Sequence, residues 1–314
     1  MDGVLVVDKP EGVTSHDVVI AARRVLNEKR IGHTGTLDPL ATGVLPLACG
    51  RATRLVRFLT ASDKDYEAEI LFGVTTDTLD VTGEEVTRTG AAPSRDVLER
   101  ALATFPGEQM QVPPAYSAKK VGGRRAYDLA RNDEPVELAP ARVRLERIAL
   151  LEFGHDRCRI ALTCSAGYYV RSLVRDLGAQ CGTGACLAAL RRTRSGEFTL
   201  DEAVDLDSLG QVRDRSNPPR RRSGQAESRI PNPGLETVLI PMEKLLPRFP
   251  AVTVTAEGLT RVSHGQPIRP SDLAAGGAAA GTDWVRVLDP GGALVALGTP
   301  QPASGSLHPE VVLI

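Results

Sequence analysis

The sequence predicts an α+β chain of 314 residues that ends in a small β-rich domain. Three observations carry this. Between Asp65 and Phe72, Tyr66, Ala68, Ile70 and Phe72 alternate with Glu67 and Glu69, the period of a half-buried strand. Helical spacing sets Val18, Val19, Ala22, Val25 and Leu26 on one face. Beyond Leu245 the style changes to short β segments, which places a boundary between a domain over 1–245 and one over 246–314.

In chain order, Gly3–Asp8 is an apolar, β-branched run that reads as a strand, ended by Lys9-Pro10-Glu11-Gly12. Thr14 or Ser15 caps the helix that follows, whose outer face carries Arg23 and Arg24. After a Gly- and Pro-bearing stretch over 31–46, Arg51–Thr60 returns to helical spacing, with Leu55, Phe58 and Leu59 inward. Gly73–Gly90 is polar and loop-like, and Ser94 opens a helix with Val97, Leu98, Ala101, Leu102 and Phe105 inward. An irregular basic segment then runs to about Arg142. Its Lys119, Lys120, Arg124, Arg125 and Tyr127 mix cations with an aromatic, as nucleic-acid surfaces do, although a solvated loop reads the same way.

Val143–Phe153 and Arg157–Cys164 read as two strands, the second with Cys158, Ile160, Leu162 and Cys164 inward. Ser165-Ala166-Gly167 turns the chain into a helix from near Tyr169, with Val170, Leu173, Val174 and Leu177 as its stripe. Arg171 stands on the first turn, where the helix dipole opposes a cation, so it needs a carboxylate or a phosphate. Leu190-Arg191-Arg192 sets cations beside an apolar patch. Residues 213–236 read as a flexible insertion and 271–282 as an Ala/Gly-rich loop. Val252–Val254, a helix from Ala256 to Val262, a hairpin from Trp284 to Gly298 and Val311–Ile314 make the β-rich domain.

A formal net charge of −1 gives no overall basicity. The charge is segregated, however: residues 23–57 hold seven basic and two acidic side chains, and residues 61–100 hold ten acidic and four basic. Five cysteines form neither a C-x-x-C pair nor a His-interleaved metal pattern, which points to free thiols in a reducing compartment. Asp2 and Asp8-Lys9 bracket a run too short for a signal peptide, and no stretch reaches transmembrane length, so a cytoplasmic protein is expected.

The stretch Ile31–Pro46 holds one acid and one imidazole among small and apolar residues. Asp38, between Leu37 and Pro39-Leu40, is costly if buried and unpaired. Taken alone, it reads more simply as the cap of a turn or helix.

With these residues laid out, the chain resembles the bacterial tRNA pseudouridine-55 synthases of the TruB family along nearly its full length. The resemblance rests on Gly32-His33-Thr34-Gly35-Thr36-Leu37-Asp38-Pro39-Leu40-Ala41-Thr42-Gly43-Val44-Leu45. Supporting blocks are Val7-Asp8-Lys9-Pro10-Glu11-Gly12, the Tyr66 strand, Tyr116-Ser117-Ala118-Lys119, Gly167-Tyr168-Tyr169-Val170-Arg171 and Leu190-Arg191-Arg192. It implies a catalytic domain around a mixed, largely antiparallel sheet flanked by helices and loops, followed by a small PUA-like domain. The segment 117–142 becomes the insertion that closes over the RNA loop.

The implied activity is isomerisation of uridine-55 in the T loop of tRNA, without metal, organic cofactor or guide RNA. The resemblance implies Asp38 as the catalytic carboxylate, Arg171 as the cation that orients it, and Tyr66 as the platform stacked on a flipped uracil. It implies His33 in the space the base vacates, Tyr169 and Leu190 lining the uracil pocket, and Lys9 nearby. Lys9 reads equally as a solvated strand-end lysine. Lys119, Lys120, Arg124, Arg125, Arg191 and Arg192 are expected on the RNA backbone. The partner is the T-arm of tRNA; a monomer with no obligate protein partner and no membrane is expected. Two competitors remain: a related synthase that depends on a guide RNA and partner proteins, and an RNA-binding module without catalysis.

Overall fold

Gly3–Lys9 forms β1, and its unbroken apolar run follows from burial on both faces: Leu5 and Val7 enter one core, Val4 and Val6 another. The structure, a computed structural model, describes residues 1–206, 238–274 and 282–314, apart from 118, 133 and 135. Helix α1 (Ser15–Leu26) is capped reciprocally by Thr14 and Asp17 and buries Val18, Val19, Ala22 and Leu26. Strands β2 (Ile31–His33) and β3 (Thr42–Cys49) pair antiparallel on either side of the Asp38 loop. Arg51–Thr60, expected as one helix, is a 3-10 turn over Gly50–Leu55 that continues into a short α2 (Val56–Thr60). Leu55, Phe58 and Leu59 are buried, as the spacing predicts.

β4 (Lys64–Phe72) keeps strict alternation of buried and half-buried side chains. Gly73–Gly90 departs from the expected loop: it holds a ribbon of β5 (Val74–Thr76) and β6 (Glu85–Arg88). Strands so short and polar carry no apolar alternation to announce them. Next come α3 (Arg95–Leu102), capped by Ser94, and β7 (Gly107–Gln111). The basic segment contains short regular pieces, β8 (Lys120–Val121), β9 (Arg124–Arg125) and α4 (Ala126–Ala130). β10 (Ala141–Phe153), β11 (Arg157–Cys164) and α5 (Val170–Gln180) fall close to their expected positions. β12 (Ala185–Ser195), β13 (Phe198–Thr199), β14 (Val204–Asp205) and β15 (Leu239–Pro241) complete the larger unit. The insertion read at 213–236 lies outside the described residues, as does most of 271–282.

The main sheet runs β14-β1-β3-β12-β4-β11-β10-β7, with β2 on β3, β13 on β12 and β15 on β1. Its pairs are antiparallel except β1 with β14 and β12 with β3, so it is mixed and largely antiparallel. One face packs against α1, α3 and α5 around Leu5, Leu47, Ile70, Leu162 and Leu173. Gly43, at φ +100°, lies so close to the Arg192 backbone that a Cβ would meet the Arg192 carbonyl oxygen at 2.2 Å. Glycine there permits the parallel junction of β3 and β12, which brings the Asp38 loop onto the sheet.

β16 (Ala251–Thr253), β17 (Val285–Leu288), β18 (Leu294–Gln301) and β19 (Ser306–Val312) form a second sheet with a helix at Ala256–Ser263. It has a core of its own, yet Leu294, Leu297 and Leu313 share another with Val4, Val6, Val44, Leu55 and Phe58 of the larger unit. Trp284 meets Phe58 edge-on with ring centroids 4.7 Å apart. Arg57 stacks over both rings, while Arg51 and Arg54 donate to the carbonyls of Leu313 and Val312. No helix among the described residues is long and apolar enough to cross a membrane.

Candidate active site

The Asp38 loop is held by its own backbone. Ser15, at the start of α1, accepts from the Leu37 N–H at 2.8 Å and donates to the Leu37 carbonyl at 3.0 Å. The Gly12 N–H donates to Pro39 O, and the Ala41 N–H closes a turn onto Asp38 O. Lys9 Nζ donates to Pro10 O at 2.8 Å and Pro39 O at 3.3 Å. Lys9 is fully buried, which overturns the solvated strand-end reading. Burial pushes its ammonium down to about 8, with the Asp38 charge opposing.

Asp38 keeps 39% of its side chain open on one side while protein surrounds the rest. Arg171 is 5% exposed, and its Nη2 reaches Asp38 Oδ2 at 2.9 Å. The guanidinium also donates to Thr78 O at 2.9 Å through Nη1 and to Tyr116 O at 2.8 Å through Nη2. Nη1 lies 3.8 Å from Asp80 Oδ2. Arg171 is therefore shared between two carboxylates, where the sequence suggested one. Burial raises the Asp38 pKa, and Arg171 and Lys9 pull it back.

Asp80 is the acid that sequence reading missed. It is buried in the β5–β6 turn, with Oδ1 accepting from Thr78 Oγ1 at 2.9 Å and from the Thr82 N–H at 3.0 Å. Leu79 there adopts φ +66°, a strained conformation for a branched side chain. The repeated Thr and Asp of this turn were its signal, but nothing local places them beside Arg171. Gln111 was missed as well. It is 3% exposed and grips the backbone of Tyr169.

Tyr66 is buried on β4, opposite Arg192 of β12 and Leu162 of β11. Burial raises its phenol pKa, and the Asp38 charge acts in the same direction, so the hydroxyl holds its proton. Half-buried Tyr169 precedes α5 within electrostatic reach of Asp38 and Arg171, while Tyr168 turns into the core. Leu190 is buried beside Thr42, whose hydroxyl reaches the Leu190 carbonyl at 3.5 Å. His33 stands at the entry to the loop near Arg192. Burial and the Arg192 charge hold its imidazole pKa down, and Nδ1 is buried without a hydrogen-bond partner among the described residues.

The expected phosphate contacts separate into three groups. Lys119 is exposed, and exposed Arg124 forms a two-pronged bond to Glu134. Arg191 is held by Asp8 at 2.7 and 3.1 Å. The side chains of Lys120 and Arg125 lie outside the described part of the structure. Arg192 is a correction. It is 1% exposed and donates inward to Val44 O at 2.7 Å and Gly35 O at 3.1 Å, so it braces the Asp38 loop and cannot meet an RNA backbone. No cluster of His, Cys, Asp and Glu placed to hold a metal occurs among the described residues. All five thiols are free, four of them buried and Cys181 half-buried.

Two family models match: "TruB family pseudouridylate synthase (N terminal domain)" over 23–170 and "tRNA pseudouridylate synthase B C-terminal domain" over 171–247. The chain is 42% identical to the tRNA pseudouridine synthase B of Solibacter usitatus (strain Ellin6076) over 314 residues, covering 100% of each chain. It is 40% identical to that of Stutzerimonas stutzeri (strain A1501) over 298 residues, 95% of this chain and 91% of the other. A crystal structure of a Cbf5-Nop10-Gar1 complex contains a chain that matches with a TM-score of 0.74 at 27% identity, covering 99% of this chain and 85% of that one. Identity across the whole chain, together with the same architecture, fixes the assignment: this protein belongs to the TruB family of pseudouridine synthases.

Proposed function

We propose that the protein converts uridine-55 in the T loop of tRNA to pseudouridine, with Asp38 as the catalytic carboxylate and with no cofactor or guide RNA. The observation that carries this reading is the partly open Asp38 carboxylate held against a buried Arg171. A buried cation beside an acid that stays partly open leaves the carboxylate free to meet a bound molecule, and burying Arg171 carries a desolvation cost that stability alone does not call for. The curated relatives are named tRNA pseudouridine synthase B, which supports tRNA as the substrate.

The reaction breaks the bond from ribose C1′ to uracil N1, turns the base and joins C1′ to C5. The C5 hydrogen leaves as a proton and N1 gains one, so the substrate's atoms balance. Such chemistry requires the nucleotide out of its stack. Tyr66 gives the flipped base an apolar ring, Tyr169 and Leu190 enclose it, and the neutral ring of His33 fills the space it leaves. Exposed Lys119 meets phosphates directly, and Arg124 and Arg191 do so once RNA displaces Glu134 and Asp8. The four-stranded sheet acts as a PUA-like RNA-binding domain over 246–314, joined to a catalytic domain over 1–245. The working protein is a cytoplasmic monomer.

Release of tritium from C5-labelled uridine in unmodified tRNA tests the reading, since the isomerisation changes no mass. The purified protein alone is expected to release one tritium per tRNA. Absence of release overturns the stand-alone reading and favours dependence on a guide RNA and partner proteins.

A pH prediction follows from Lys9. The Lys9 ammonium places a positive charge near Asp38 and ties the loop that carries it through Pro10 O and Pro39 O, so the rate is expected to fall as pH rises through about 8, where the buried ammonium deprotonates and that charge is lost. Lys9→Met removes that limb and lowers the rate at pH 7; a wild-type profile flat to pH 9 counts against the coupling. Stability moves the other way. The unfolded chain binds more protons than the folded one between about 8 and the ordinary 10.5, so this group's contribution rises with pH across that window.

A further inference from the structure

Gln111 ends β7, far in sequence from the proposed acid, and is 3% exposed. Its side-chain amide makes two bonds to one residue: Oε1 accepts from the Tyr169 N–H at 2.8 Å, and Nε2 donates to the Tyr169 carbonyl at 3.1 Å. Those two groups belong to the peptide planes on either side of the Tyr169 Cα. Fixing both planes fixes φ and ψ there, at −109° and 110°, and with them the direction in which the ring leaves the chain.

Among the described residues, the start of α5 has no other device of this kind. Tyr169 occupies the N-cap position, and no side chain caps the helix there. The residues after Gln111 continue the grip: Ser172 Oγ donates to Val112 O at 2.8 Å, and Arg171 Nη2 donates to Tyr116 O at 2.8 Å. Three positions at the head of α5 are thus tied to a single stretch of chain over 111–116. A glutamine suits the task because its amide presents a donor and an acceptor side by side, as a strand backbone does. Glutamate would set a carboxylate oxygen against the Tyr169 carbonyl, and an apolar side chain would take the Gln111 partner from the Tyr169 N–H and leave the carbonyl with the Leu173 N–H alone.

We propose that Gln111 is a positioning residue for the isomerisation, acting through the Tyr169 ring. This rests on the proposed place of Tyr169 in the uracil pocket. A displacement of about 1 Å at a reacting site costs roughly 100-fold in rate, so losing the clamp is expected to cost 10- to 100-fold.

The test is the single-turnover rate of tritium release with enzyme in saturating excess, where the fraction of folded enzyme does not enter. Gln111→Met, which keeps the volume and loses both bonds, is expected to slow that rate about 10- to 100-fold, with tRNA affinity within about twofold of wild type. On a Tyr169→Ala background the same substitution is expected to add little, because the ring it orients is gone. Met110→Ala, at a 64% exposed neighbour on the same strand, is expected to run at the wild-type rate.

A Gln111→Met enzyme as fast as wild type overturns the proposal. Equal slowing with and without the Tyr169 ring overturns it too, since the effect then passes elsewhere. If Gln111→Met fails to fold, Gln111→Glu goes through the same cycle under the same criteria. Tyr169→Ala at the wild-type rate instead removes Tyr169 from the pocket, a result distinct from either outcome for Gln111.

Discussion

Asp38→Asn is expected to bind unmodified tRNA within about threefold of wild type and to lose at least ~10⁴-fold in tritium release, as removal of a reacting group does. The fold should survive. Arg171 keeps Thr78 O, Tyr116 O and Asp80 when the Asp38 charge is removed. Stability at neutral pH should hold or improve. The folded-state pKa of Asp38 lies above the ordinary 3.8, so the folded chain binds more protons than the unfolded one just above that value. Its contribution therefore falls as pH rises through the interval, a cost that asparagine does not carry. Tritium release at the wild-type rate would remove Asp38 from its proposed role.

Arg171→Lys should be the second most damaging change. Lysine keeps the charge but offers one nitrogen, where the guanidinium now serves Asp38, Thr78 O and Tyr116 O from two. The expected loss is at least ~100-fold in the single-turnover rate, with tRNA affinity nearly unchanged, because Arg171 faces the acid and not a phosphate. Arg171→Leu should lose ~3–5 kcal/mol of stability as well, since it strands the buried Asp80 beside an apolar side chain. Kinetics at saturating enzyme separate the two effects. Arg171→Lys turning over within about threefold of wild type would reduce the pair to a structural contact.

The parts of the site that were legible in sequence are those whose logic is local. The alternation of Tyr66 with Glu67 and Glu69 places the Tyr66 ring on the core face without any knowledge of its neighbours. Arg171 on a first helical turn already demanded an anion. Arg192 shows how the same rule can be overlooked. Arg191-Arg192 reads as a basic pair, yet neighbours on a strand point to opposite faces, and continuing the burial of Leu190 to Arg192 turns the latter inward. Asp80 and Gln111 left no such trace. Each is a buried polar residue whose partner lies dozens of positions away, so only the closed sheet reveals why the position is polar. The hairpin after Trp284 was readable from its turn residues, whereas the core it shares with β1 and β3 was not, because strands apolar on both faces do not say what covers either one.

That two-sided strand also sets the order in which the protein can be completed as it leaves the ribosome. β1 pairs with β3 within the first 49 residues, but its other edge waits for residues 204–205 and 239–241, and its outer face waits for Leu294, Leu297 and Leu313. At typical synthesis rates the gap is on the order of tens of seconds. For that time Val4, Val6, Val44 and Ala48 are covered only in part, by Ala52, Leu55, Phe58 and Leu59, beside an open strand edge, a combination prone to wrong pairing. The nascent chain is thus most vulnerable while its proposed chemical machinery is nearly assembled and its last 70 residues are still to come.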